Sequence, residues 1–319
     1  RDILLMTKYL YHVKYMPNMV TPTYMYNIYD RSQAMLYQPE IECISPLGKV
    51  VDTPKSIEEL CYGSVQRILS AAKDKELYIT WSGGIDSSLV LSEFLKYADH
   101  KRITVICDRH SFAEYPEFFK NYINKKLKTI PMNFYNDRPL KQAITNGVVI
   151  TGHLLDPVFG SNSYSSIPKE KLQESLDSFL RLLNYTSKDM YKKLSDACPV
   201  PITNVKELFW WMDYCLNYQN EELMWLLEIP EMRLDQNLFH FGSGEDWNNY
   251  AVSTPIEIKW PGYDFRKFKQ VLKDHLFKFT KDEHYTLEKI KLPSWRHYRT
   301  NDQRNRLKAR WIDTEWRRG

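Results

Sequence analysis

Between residues 77 and 151 short apolar runs alternate with helical periodicity, a pattern that leaves few folds open to the chain. The runs are 77–81, Ile103–Cys107, 127–132 and Val148–Thr151, and the helical stretches between them are 87–98, about 114–125 and 137–145. Runs without polar alternation are buried on both faces, and connections of this length join parallel strands through helices. The expectation is an α/β fold built on a doubly wound parallel sheet. A further helix precedes the first strand: Ser56 and Glu59 form a capping box, and Ile57, Leu60, Cys61, Val65, Ile68 and Leu69 recur at helical spacing.

The first strand leads into Ser82-Gly83-Gly84-Ile85-Asp86-Ser87-Ser88. A strand that turns through two glycines into a helix points backbone N–H groups and the positive helix end at one spot, which favours an anion such as phosphate. Gly83 and Gly84 permit the turn and the close approach, and Ser82, Ser87 and Ser88 add hydroxyls. Asp86 would repel a phosphate unless a cation stood between them, so the loop implies a divalent metal, Mg²⁺. The order matches neither a Walker loop nor a Gly-x-Gly-x-x-Gly turn. Ligands of parallel α/β sheets bind beyond the carboxyl ends of the strands. Ser82, Cys107-Asp108 and Thr151-Gly152 fall at such ends. After the last run comes Asp156, four residues beyond Gly152, spaced to share a metal with Asp86.

Ser-Gly-Gly-Ile-Asp-Ser resembles the PP-loop of the N-type ATP pyrophosphatases, which cleave ATP to AMP and pyrophosphate while adenylating a substrate. Gly152 to Gly160 reads Gly-x-x-x-Asp-x-x-Phe-Gly and is similar to a stretch of the asparagine synthetase C-terminal domain. The resemblance implies an adenine nucleotide alpha hydrolase-like sheet with ATP held by Thr80, residues 82–88 and Cys107. Thr151 and Gly152 would contact adenosine, and Asp86 and Asp156 would bind Mg²⁺. Asp246-Trp247, Tyr250-Ala251 and Lys269-Gln270-Val271-Leu272-Lys273 resemble the later part of that domain, where a helix-borne Lys contacts the phosphates. Lys269 would take this role. The family often has an acidic residue after the glycine, whereas this chain has His153, which is either an alternative base or a packing residue. Catalysis is thus expected from Lys269 and His153.

The implied activity is an AMP- and pyrophosphate-forming ligase that joins a small-molecule carboxylate to an amine or ammonia, without a glutaminase domain. Two alternatives are modification of a base in RNA and non-catalytic nucleotide binding. The organisation expected is a β-rich segment over 1–55, an ATP-binding α/β domain over 56–165, helices only over 166–293, and a basic tail over 294–319. Helices are expected at about 168–184, 186–196, 204–228, 245–253 and 264–277.

The tail holds eight basic residues against three acidic ones, a net of +5 in a chain of +4 overall, and either binds nucleic acid or packs through its tryptophans. Five cysteines without a Cys-x-x-Cys pair read as reduced core residues of a cytoplasmic protein. No apolar run reaches the length of a membrane span, so no membrane partner is expected.

Overall fold

The computed structural model describes residues 30–32, 34, 45–132, 138–160, 169–183, 185–218, 231–260 and 265–289. The strands expected in the first fifty residues and the basic tail lie outside the described residues. Backbone contacts divide the chain into two compact units, one over Lys55–Leu155, Trp225–Ser243 and Asp264–Gly319, the other over Arg1–Pro54, Asp156–Met224 and Gly244–Tyr263.

The first unit carries the sheet. Its elements run α1 (Ile57–Ala72), β1 (Glu76–Thr80), α2 (Ile85–Tyr97), β2 (Ile103–Cys107), α3 (Arg109–Glu114), β3 (Lys128–Pro131), α4 (Arg138–Asn146), β4 (Gly147–Thr151), β5 (Leu238–His240), α5 (Gln270–Thr280) and α6 (Glu283–Glu288). All five strands are parallel, in the order β3-β2-β1-β4-β5. The chain moves outward from β1 through β2 to β3, then crosses back to lay β4 on the other side of β1. The order therefore reverses between β1 and β4, which is a topological switch point.

Every residue of β2 and β4 is buried, as apolar runs without alternation require. Val148, Val149 and Ile150 have no exposed surface, and each such burial stabilises by about 1.5–3 kcal/mol. Helix α1 starts at the Ser56 capping box, with Ser56 Oγ accepting from Glu59 N and Glu59 returning a carboxylate to Ser56 N. Its buried face of Leu60, Cys61, Val65 and Ile68 and that of α2 pack together, and α5 packs on both.

Several expectations are corrected. The region after 160 is not helical throughout, because Leu238–His240 adds a fifth strand beside β4, with Thr151 opposite His240. Three residues between turns are too few to show a period. The helix expected over 114–125 is divided at Tyr115, where Pro116 starts a new turn that continues as a π-helical turn over Phe119–Ile123. The helix expected over 168–184 is cut into Lys169–Leu172 and Leu176–Arg181 by Ser175, which caps the second piece. The helix expected over 264–277 is a 3₁₀ turn at Phe265–Lys267 followed by α5, and the break falls on Lys269.

Among the described residues of the second unit the regular elements are helices. Helices Tyr185–Asp196 and Val205–Met212, the π-helical turn Asp213–Asn217 and helix Glu245–Ser253 gather aromatic side chains, as the tryptophan-rich sequence suggests. Trp211 Nε1 donates to Leu194 O at 2.7 Å and Trp210 Nε1 to Val158 O at 3.1 Å, so both indoles are buried with their polar atoms paired. Arg31 is buried at the centre. Its guanidinium donates to the carbonyls of Ser45, Pro46 and Tyr214 and to Asn248 Oδ1, at 2.8 to 3.1 Å, and lies 3.8 Å from the Tyr218 ring centroid. Lysine offers its donors from one point and cannot reach four acceptors spread around a planar fork. Arg31→Lys is therefore expected to lower the unfolding free energy by about 2 kcal/mol or more, read as a shift in the urea midpoint; an unchanged midpoint would remove this role.

Lys259 is buried above Trp210, its Nζ 3.2 Å from the ring centroid and donating to Ala251 O at 2.6 Å. Burial pushes its pKa well below the ordinary 10.5. The unfolded chain keeps that proton to higher pH than the folded one, so the unfolded state binds more protons between the two pKa values. Stability should rise with pH across that interval, and Lys259→Met should flatten the rise. Denaturation midpoints compared between neutral pH and pH about 10 check this.

Candidate functional site

The parallel register brings the expected segments to one edge of the sheet. Thr80 pairs with Ile106, and Ile79 with Ile150, so the ends of β1, β2 and β4 stand side by side. Thr80 Oγ1 donates to Ile150 O at 3.2 Å, Trp81 N to Ile106 O at 2.8 Å, and Met132 N to Cys107 O at 2.9 Å. The loop 82–88 thus leaves the sheet at its switch point. Cys107 is buried, and burial pushes its thiol far above the usual range. Asp108 beside it caps α3 by accepting from the amides of His110 and Ser111.

The loop is organised by its own serines. Ser87 Oγ accepts from Ser82 N at 3.1 Å and lies 3.0 Å from Ser82 Oγ, which accepts from Gly84 N at 3.3 Å. Ser82 is exposed, whereas Ser88 is fully buried and accepts the indole N–H of Trp81 at 3.0 Å. The Ser88 hydroxyl therefore fastens strand to helix. Trp81 in turn stacks near Phe118 and Phe119. Ile85 is buried, so its backbone amide, with those of Asp86 and Ser87, is what the first turn of α2 presents. Gly84 is the N-cap and has no side chain to occupy that end. Gly83 has φ +74°, and a Cβ there would stand 2.4 Å from Ser111 O, so only glycine passes. The Gly83 carbonyl accepts from Tyr285 Oη at 3.4 Å, and Tyr285 stacks on Tyr115 with centroids 3.7 Å apart.

The least foreseeable contact joins two of the expected residues. Lys269 has no exposed surface, and its Nζ lies 2.6 Å from both carboxylate oxygens of Asp86. Lys269 is not within a helix, as its resemblance implied, but is the N-cap of α5 in the left-handed region, φ 53°. For a residue with a Cβ that conformation costs on the order of 1 kcal/mol. It turns the ammonium back from the helix start onto the loop.

Gly152 lies against the same residue: a Cβ there would meet the backbone carbon of Asp86 at 3.2 Å, closer than a side chain comfortably sits. Thr151 is fully buried and its Oγ1 lies 2.7 Å from His240 Nδ1, a partner the sequence did not single out. His153 is half-buried, with its amide 3.5 Å from Thr151 Oγ1. Asp156 falls in the first turn of the short helix Leu155–Phe159, half-buried.

These groups fit a polyphosphate: amides at the start of α2, the Ser82 hydroxyl, a glycine cradle that a Cβ would fill, and a buried ammonium. Asp86 fits Mg²⁺ by its chemistry, although in this structure both its oxygens are on Lys269. Among the described residues no helix is long and apolar enough to cross a membrane. Comparison of the sequence with models of known protein families finds no match, and neither does comparison with curated proteins.

Removing the carboxylate strands the buried ammonium, whereas removing the ammonium leaves a carboxylate that is partly exposed. Asp86→Asn, which leaves the buried ammonium unpaired, is expected to cost about 3 kcal/mol of stability, Lys269→Met less, and the double variant less than the sum by about 1–3 kcal/mol. Urea denaturation of the four proteins measures this coupling; strictly additive losses would mean that the contact carries no interaction energy.

Proposed function

We propose that the protein is an N-type ATP pyrophosphatase of the adenine nucleotide alpha hydrolase-like class, which adenylates an oxygen nucleophile, most simply a carboxylate, and passes it to a nitrogen nucleophile. The observation that carries this reading is the buried Lys269 ammonium held by Asp86 at the mouth of the serine-diglycine loop. The two residues are 183 apart in sequence; the loop and its PP-loop resemblance single out Asp86, and the synthetase resemblance singles out Lys269. A loop serving only as a turn has no use for a buried cation at its mouth.

In this reading the amides of Ile85, Asp86 and Ser87 and the Ser82 hydroxyl bind the pyrophosphate end of ATP, where the start of α2 favours negative charge. Lys269 opposes the charge that grows on the pyrophosphate as the α–β bond breaks, and acts from a dry position in which an ammonium is worth more than in water. Asp86 keeps that ammonium aimed. Gly152 lets the end of β4 approach the loop closely enough for a nucleoside to lie along the sheet edge. Mg²⁺, when bound, would be held by Asp86 and would neutralise the leaving pyrophosphate. His153 stands after Gly152 as the group available to move a proton near neutral pH.

Incubation of the protein with ATP and Mg²⁺ is expected to release AMP and pyrophosphate when the right acceptor is present. The screen covers amino acids, other carboxylates with ammonia or amines, and RNA. Lys269→Met should lower kcat/KM by about 100-fold or more. ADP and orthophosphate as products would refute the assignment, and release stimulated by RNA alone would favour base modification over amide formation.

A further inference from the structure

Away from the loop, three helices of the sheet-bearing unit bring a thiol, a carboxylate and an imidazole together. Cys61 comes from α1, Glu93 from α2 and His275 from α5, with exposures of 0, 1 and 5%. One donor atom of each lies within 4.8 Å of the other two. His275 Nε2 stands 2.9 Å from Glu93 Oε1, and Lys96 Nζ lies 2.5 Å from the same oxygen. None of these four residues has a part in the nucleotide chemistry proposed above.

We propose that Cys61, Glu93 and His275 form a binding site for a zinc-class divalent cation. Sulfur, imidazole nitrogen and carboxylate oxygen are the donors that such a borderline-soft ion takes, whereas Mg²⁺ and Ca²⁺ prefer oxygen alone. Zinc bonds to these donors are about 2.0–2.3 Å long, which sets ligand atoms about 3.5 Å apart around a tetrahedral centre. Closing the cluster from its present span therefore takes side-chain movement of about an ångström. The fourth position is left to water.

Lys96 stands where the cation's charge would repel it, but its side chain is 25% exposed and can withdraw to solvent. On binding, the Cys61 S–H bond breaks, its electron pair forms the metal–sulfur bond and the proton leaves to solvent, so the site gains one net positive charge, beside the Glu93 carboxylate. Because sulfur binds the metal as thiolate, uptake of the ion releases that proton. The ion would pin α1, α2 and α5 together two helical turns from the Asp86–Lys269 pair, since Glu93 follows Asp86 by seven residues.

The test uses the full chain, stripped with a chelator and titrated first with Co²⁺ and then with Zn²⁺. Expected are one equivalent of metal per chain, a sulfur-to-cobalt charge-transfer absorption with tetrahedral ligand-field bands, and their loss as zinc displaces cobalt. Zinc should also raise the thermal midpoint of the protein. Cys61→Ser should abolish the sulfur absorption, with Cys61→Ala as a second variant that keeps the core apolar. His275→Gln should weaken zinc binding by about 100-fold or more, beyond what the loss of an outer-shell partner costs. The absence of sulfur-to-cobalt absorption from the unsubstituted chain would overturn the proposal whatever the variants do. So would a band that survives in both Cys61 variants, because another of the five cysteines would then be its source. Either result would leave the cluster as a buried Glu–His–Lys pairing beside a core thiol.

Discussion

The carboxylate of Asp86 and the ammonium of Lys269 are the contact on which the arrangement of the loop depends. The ammonium has left water while the carboxylate keeps part of its surface exposed, and taking an ammonium out of water costs several kcal/mol before the attraction returns any of it. An apolar pair of the same volume would join α2 to α5 as well or better. The pair is thus poor evidence for stability and better evidence that a charge is wanted at this position. The backbone agrees, since Lys269 adopts a left-handed conformation that its own Cβ disfavours. Strain at the start of a helix and a desolvated ammonium at the same residue are both costs, and here they serve one outcome: an ammonium fixed at the loop mouth.

The sheet explains why the loop is where it is. With β1 central and the strand order reversing beside it, the crossovers leave a crevice beyond the ends of β1 and β4. The loop occupies the β1 side of that crevice and Gly152 the β4 side. Two glycines set how closely these sides approach. Gly83 gives the loop room past Ser111, and Gly152 gives the end of β4 room past Asp86. The serines then divide the work by burial: Ser88 inward to Trp81, Ser87 between the loop strands, Ser82 outward.

How much of this could be read from the sequence follows from the range of the signals involved. Strands buried on both faces and helices with a capping box are local patterns, so β1 to β4 and α1 were placed within a residue or so. The fifth strand was missed because three residues carry no period, and its identity as a strand comes from hydrogen bonds to β4, some ninety residues away. The breaks at Tyr115, Ser175 and Lys269 were missed for the opposite reason. The hydrophobic pattern runs on across them, and only a proline, a side-chain cap or a left-handed residue marks the stop. Asp86 and Lys269 were each named as candidates, yet their contact was not legible, since nothing local to either shows that α5 packs on α2. His240 beside Thr151 was missed because it lies on the strand that was missed.

Charge at the loop shows what such a contact changes. Taken from the sequence, an aspartate next to a phosphate site demands a metal, because two negative groups would otherwise share a dry space. With Lys269 against it, the carboxylate is neutralised, and the field at the loop is set by the amides at the start of α2 and the helix dipole, both favouring an anion. A polyphosphate can then be attracted without a metal already in place, and its own negative charges bring the need for a divalent ion. On the proposed function Asp86 would serve two cations, the lysine that it holds and Mg²⁺ when a nucleotide is bound. Held by Asp86, the ammonium would face the phosphates from the position that the proposed role requires.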